Sequence, residues 1–151
     1  MRKKKIYLDT SVISYLRQED SPKEMQDTQE FWEILKKDEY DVYISEVVVN
    51  ELSQCAEPKR TELLTLLSEI QYNDIAVENN LEIIVLADEI KKLNIVPPKS
   101  ENDRRHIAAA VFSECDINIT VLSNAADIIV WLSSYSLIGS SALSESSLSF
   151  S

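Results

Sequence analysis

The chain holds a single glycine, Gly139, a single histidine and two cysteines, and each shortage excludes something. Loops that cradle phosphates, of the P-loop or dinucleotide-binding kind, need several glycines so that backbone amides can approach the ligand closely. Neither can be built here. Zinc sites need Cys and His at short paired spacings, and Cys55 and Cys115 have no such companions. They read as reduced, buried thiols of a cytoplasmic protein. No apolar run approaches the ~18 residues of a spanning helix, so no membrane role is expected. The basic start, Arg2 to Lys5, is followed by Asp9 with no small-residue cleavage site, unlike a signal peptide. Positive charge is scarce as well: no Lys or Arg follows Arg105, and the net charge is −11. Phosphate contacts supply most of the affinity of nucleic-acid binders. The overall balance therefore argues mildly against such a partner and leaves room only for a local basic patch.

What is present suits one soluble globular domain: 151 residues, 44% hydrophobic and 27% charged. Lys5 to Leu8 is a short run of strand formers that stops at Asp9-Thr10-Ser11, which are helix-capping residues, and the apolar pattern resumes at Val12. That pattern predicts strand, tight junction, helix. Helical spacing predicts a helix over about 22–37, and Asp41 to Ser45 predicts a second strand. A helix through Glu46 to Leu52 follows, with Ser45 placed to cap it. Further helices are expected from about Lys59, over Leu81 to Leu93 along Ile84, Ala87, Ile90 and Lys91, and over His106 to Ser113 opened by Asn102-Asp103. Ile117 to Leu122 reads as a third buried strand. Helices alternating with short apolar strands make an α/β fold with a parallel sheet.

In such sheets functional groups gather at the carboxyl ends of strands. Asp9 stands there, although an Asp at a strand–helix junction is by itself more often a cap. Glu51 and Asp103, taken alone, are ordinary helix-surface and helix-start carboxylates. Together the three would converge at one edge of the sheet. Two unit charges ~5 Å apart at an effective dielectric of ~20 repel by roughly 3 kcal/mol, so the cluster must take up a proton or a cation. Oxygen-only ligands select Mg²⁺ or Mn²⁺, and such an ion suits phosphodiester hydrolysis.

Three stretches now carry a resemblance: Ile6 to Ile13 around Asp9, Ile44 to Leu52 ending on Glu51, and Asn102 to Ala110 around Asp103. In order and spacing they resemble the motifs of PIN-domain ribonucleases, with VapC-type toxins as the nearest kin. The resemblance implies a PIN-like three-layer fold, a short central parallel sheet flanked by helices. It also implies metal-binding catalytic acids at Asp9, Glu51 and Asp103, and a hydroxyl beside the metal from Thr10 or Ser11. A Mg²⁺- or Mn²⁺-dependent endoribonuclease would follow, leaving 5′-phosphate and 3′-hydroxyl ends. Its partners would be an RNA substrate, a second copy in a homodimer and a small antitoxin protein. Arg104 and Arg105 could reach substrate phosphates, and an exposed pair on a helix surface is an equally good reading. His106 reads as a packed or hydrogen-bonded residue in preference to a general base.

The resemblance weakens toward the end. Asn124 or Asp127 would supply a fourth polar group, though neither spacing matches, and the last 20 residues hold ten serines and one charge, Glu145. The chain divides into a PIN-like domain over 1–130 and an atypical Ser-rich tail over 131–151, with no strand alternation expected in the tail. A shifted reading frame after about Asp116 is preferred over a natural divergent tail. The broken motif and the acidic balance also support a second function, a degenerate PIN module that binds an antitoxin or RNA without cutting. An Asp9 phosphoacceptor site is disfavoured, because Ser11 stands where a second Asp would be needed and no suitable Lys follows.

Overall fold

The computed structural model describes residues 2–93, 101–121, 128–132 and 144–148, the last two segments and residues 120–121 by backbone alone. Strand β1 (Lys5–Leu8) alternates as a two-faced strand must: Ile6 and Leu8 enter one apolar cluster, while Tyr7 enters another. It stands inside the sheet between β2 (Asp41–Ser45) and β4 (Ile117–Val121), parallel to both. A three-residue strand, β3 (Asn73–Ile75), extends the parallel set beyond β2. The order is β3-β2-β1-β4-β5-β6.

Helices cover both faces. Cluster one packs α1 (Thr10–Ser14), α2 (Pro22–Leu35), α3 (Glu46–Ser53) and α4 (Lys59–Leu67) against Ile6, Leu8, Val42, Ile44 and Ile119. Cluster two lies under α5 (Leu81–Leu93) and α6 (Glu101–Phe112) and gathers Tyr7, Val47, Ile75 and three consecutive alanines, Ala108 to Ala110. The expected α/β fold is thus present as three layers, four parallel strands between helices.

Several expectations are refined. Ser45 occupies the N-cap position of α3 but spends its hydroxyl elsewhere. Helix α5 turns Ile83, Ala87 and Ile90 inward, and Ile84 is left 42% exposed. Those three fall at i, i+4 and i+7, a cleaner stripe than one running through Ile84. β3 was not legible because two of its three residues are exposed. Strand β5 (Ile128–Leu132), antiparallel to β4, crosses the expected boundary at residue 130, and the tail expected to lack strands carries β6 (Ser144–Leu148), antiparallel to β5. A ladder is made by backbone groups, so an outer polar strand needs no apolar alternation to pair.

Candidate active site

The chain reverses direction across the sheet at β1: its first crossover leads to β2 on one side, and its last parallel strand, β4, returns to the other. Such a switch point opens a crevice at the carboxyl ends of the strands. Asp9 is the first residue past β1, held by its amide on Ile119 O at 3.1 Å. Its carboxylate also caps α1, accepting from the Ser11 amide at 3.4 Å. Capping and site placement are thus compatible in one residue. Glu51 projects from the last turns of α3, which starts directly from the end of β2. Helix α6 runs back to the start of β4, so its first turn, with Asn102 and Asp103, lies at the same carboxyl edge.

These elements meet on His106. Its ring is 2% exposed, and Nε2 lies 2.7 Å from Glu51 Oε1 and 3.7 Å from Asp9 Oδ1. Thr10 Oγ1 donates to the same Glu51 oxygen at 2.8 Å and stands 3.3 Å from Nε2. On the other edge of the ring, Nδ1 is 2.6 Å from Tyr7 Oη, which is 2.8 Å from Ser45 Oγ. The Asp9 and Glu51 side chains are 22% and 31% exposed, so the carboxylates face outward from a buried polar seam.

The electrostatics follow from this packing. Burial works to raise the Glu51 pKa, but hydrogen bonds from His106 and Thr10, the His106 charge and a hydrogen bond from Asn102 together bring it below the usual carboxylate value. Burial works to lower the His106 pKa, yet the bond to Glu51 and the charges of Asp9, Glu51 and Asp103 raise it. Burial pushes the Tyr7 phenol well above its ordinary value, so it stays a neutral hydroxyl. Asp103 is therefore felt at the imidazole, half-buried in the first turn of α6.

The structure brings Asp9, Thr10 and Glu51 together around one nitrogen, with Asp103 as a charged neighbour. Ser11 takes part through its backbone amide on Asp9. Arg104 is half-buried beside Asp103, and Arg105 pairs with Glu101 of its own helix at 3.0 Å. Asn124 and Asp127 lie outside the described residues. Among the described residues, no group of three or more His, Cys, Asp or Glu side chains is close enough to hold a metal ion. None of the helices described is long and apolar enough to cross a membrane. Sequence reasoning missed Tyr7, Ser45 and Asn102. The available signal was polarity out of place: a phenol inside an apolar strand and a Ser between Ile44 and Val47 both need partners when buried.

The model of the PIN domain family matches residues 6–127. Among solved structures, the fold is similar to a chain in the crystal structure of VapBC2 from Rickettsia felis bound to a DNA fragment from their promoter. That likeness has a TM-score of 0.52 at 18% identity and covers 74% of this chain and 83% of that one. At such identity it speaks for the fold alone. Among curated proteins none matches. The family match takes in the strand–junction–helix at Asp9, the helix of Glu51 and the helix start at Asp103, and the chain belongs to the PIN domain family, whose members are generally nucleases.

Proposed function

We propose that this protein is a divalent-metal-dependent endoribonuclease of the VapC toxin type, with Asp9, Glu51 and Asp103 as the metal-holding catalytic acids. The observation that carries the reading is the meeting of the Asp9 and Glu51 carboxylates and the Thr10 hydroxyl on one buried imidazole nitrogen, at the carboxyl edge of a PIN-fold sheet.

The donor chemistry fits Mg²⁺ or Mn²⁺. These are hard ions that prefer carboxylate oxygens, and Mg²⁺ usually keeps several of its waters and takes only one or two carboxylates from the protein. A partly exposed, open set of acids suits that habit better than a closed cage would. When bound, such an ion lowers the pKa of a coordinated water and neutralises charge gathering on the phosphodiester. Asp9 presents its carboxylate from a strand end whose position is fixed by the Ile119 bond. Glu51, kept ionised by its donors, offers acceptor oxygens only. Arg104, beside Asp103, supplies a guanidinium for a substrate phosphate.

The toxin assignment extends to partners: a small antitoxin that covers this edge, a second copy of the chain and a cytoplasmic setting in which both thiols stay reduced. The family match supports the nuclease part of this reading, and the fold shared with a chain of VapBC2 prompts the search for an antitoxin. The test is calorimetric titration of the metal-free protein with Mn²⁺, together with RNA cleavage in Mg²⁺, Mn²⁺ and EDTA. Asp9→Asn and Glu51→Gln should each abolish the binding heat and the cleavage. An Asp9→Asn protein that keeps both would overturn the assignment.

A further inference from the structure

His106 is given no role of its own in the reading above, although the site meets on it, and it is more enclosed than either carboxylate beside it. It belongs to an unbroken polar chain. Ser45 Oγ meets Tyr7 Oη at 2.8 Å, Tyr7 Oη meets His106 Nδ1 at 2.6 Å, and His106 Nε2 meets Glu51 Oε1 at 2.7 Å. Ser45 and Tyr7 are wholly buried. The Tyr7 and His106 rings pack edge to face, centroids 5.8 Å apart. Both ends of the chain reach one helix: Ser45 is the N-cap residue of α3, and Glu51 lies within it.

A buried polar group is costly unless it is bonded, so three in an alanine-lined face require explanation. Satisfying one another is only part of it, because an apolar side chain at each position would remove the need altogether. The last link is decisive. Glu51 is 31% exposed, so water could satisfy its oxygens as well; the His106 donor adds to that a lowered pKa and a fixed position. The chain therefore ends where constraint, and not satisfaction, is the product.

We propose that His106 and Tyr7 are positioning residues. The imidazole, its ring orientation fixed by the Tyr7 hydroxyl, holds the Glu51 carboxylate together with the Thr10 hydroxyl, which donates to the same oxygen, and Ser45 fixes Tyr7. This rests on the metal-site reading for its consequence in catalysis, though not for its geometry. An ionised carboxylate only accepts, so Nε2 carries the hydrogen whatever the charge of the ring. With a neutral ring, Ser45 donates to Tyr7 and Tyr7 donates to Nδ1. With a charged ring, Nδ1 donates to Tyr7 and Tyr7 donates to Ser45. Two hydroxyls in series reverse together, and the bond to Glu51 survives both states. Partners of this kind behind metal-holding groups typically change metal affinity by 10–100-fold, as an order-of-magnitude guide.

The test uses the full chain. In the metal-free, ¹⁵N-labelled protein, His106 should show a slowly exchanging hydrogen on Nε2, and Tyr7→Phe, which deletes one oxygen and keeps the ring, should broaden or remove that signal. Mn²⁺ affinity should fall about tenfold in Tyr7→Phe and up to about a hundredfold in His106→Gln. Combining the two should cost no more than His106→Gln alone, since they act through one contact. The losses should fall on kcat rather than KM. A wild-type His106 with no hydrogen on Nε2 overturns the proposal, as does a Tyr7→Phe protein with unchanged spectrum and affinity, or a strictly additive pair. If the wild type binds no Mn²⁺, the metal reading fails, and the His106 signal still decides the positioning.

Discussion

The two faces of the sheet are packed from different materials. On the face of α1 to α4 the buried cluster is aliphatic and aromatic throughout: Leu16, Phe31, Trp32, Leu35, Ile44, Leu52 and Leu63 among others. On the face of α5 and α6 the side chains are smaller, with Ala87 and Ala108 to Ala110, and the seam from Ser45 to Glu51 runs through them. Large interlocking side chains lose most when one is truncated, because the hole cannot close. Small residues let helix α6 come near enough to the sheet for one ring to touch β1 and α3 at once. The first face thus supplies stability and the second supplies position.

The largest effect that would test this division is Leu63→Ala on α4. Leu63 is fully buried in the first cluster, so the loss should be about 2–5 kcal/mol, or a melting point lower by roughly 4–20 °C at this chain length. Mn²⁺ affinity, measured below the new melting point, should stay within about twofold of wild type. A large loss of affinity would mean that the faces are not separable. Next in size is a contrast between the thiols. Burial pushes Cys115, in the second cluster, up to about 12. Thiol labelling of the native protein at pH 8 should modify the half-buried Cys55 first and leave Cys115 intact until unfolding.

Smaller still is removal of the residues from Leu143 onward, which deletes β6. That strand has one neighbour, β5, and a Ser-rich sequence, so the melting point should move by no more than a few degrees. Hydrogen-exchange protection of β6 matching that of β1 would count against it. The smallest effect concerns Asp116, which accepts from the Lys5 amide at 2.9 Å and from Arg2. The Lys5 bond, then Arg2, hold its carboxyl below the usual range against burial. A depressed pKa contributes stability above the unfolded value of ~3.9 and loses it as pH falls through the folded one. Asp116→Asn should therefore cost under about 1 kcal/mol at pH 7 and progressively less as pH falls through the folded pKa, read from denaturant melts at neutral and acid pH.

Much of this was legible in the sequence. Lys5 to Leu8, Asp41 to Ser45 and Leu81 to Leu93 announce their elements through run length and caps, and Asp9, Glu51 and Asp103 stand in ordered motifs. What could not be read was distance. The expectation of carboxylates repelling one another took no account of a ring between them, and His106 now lies against both Asp9 and Glu51. Its neighbours come from β1, α1 and α3, remote in sequence, so no local period reports them. The Ser-rich tail differs from its expectation for another reason: polar composition was taken to exclude a strand, whereas β6 pairs with β5 through backbone. The family match reaches residue 127, within the stretch after about Asp116 where a change of reading frame was expected.

The direction of β1 also governs how a charged polymer would find this protein. Arg2, Lys3, Lys4 and Lys5 lie at its amino end and Asp9 just past its carboxyl end, roughly 13 Å or more apart at ~3.3 Å per strand residue. The Debye length in physiological salt is only ~8 Å. Two of these cations are moreover engaged, Arg2 with Asp116 and Lys3 with Asp38. An anionic strand drawn toward the amino end would arrive at the wrong end of the sheet, and the field reaching the crevice is that of its own carboxylates. On the proposed reading, encounter with an RNA strand should consequently be slow and should quicken as salt screens the repulsion, or where a partner supplied the missing positive charge beside Arg104.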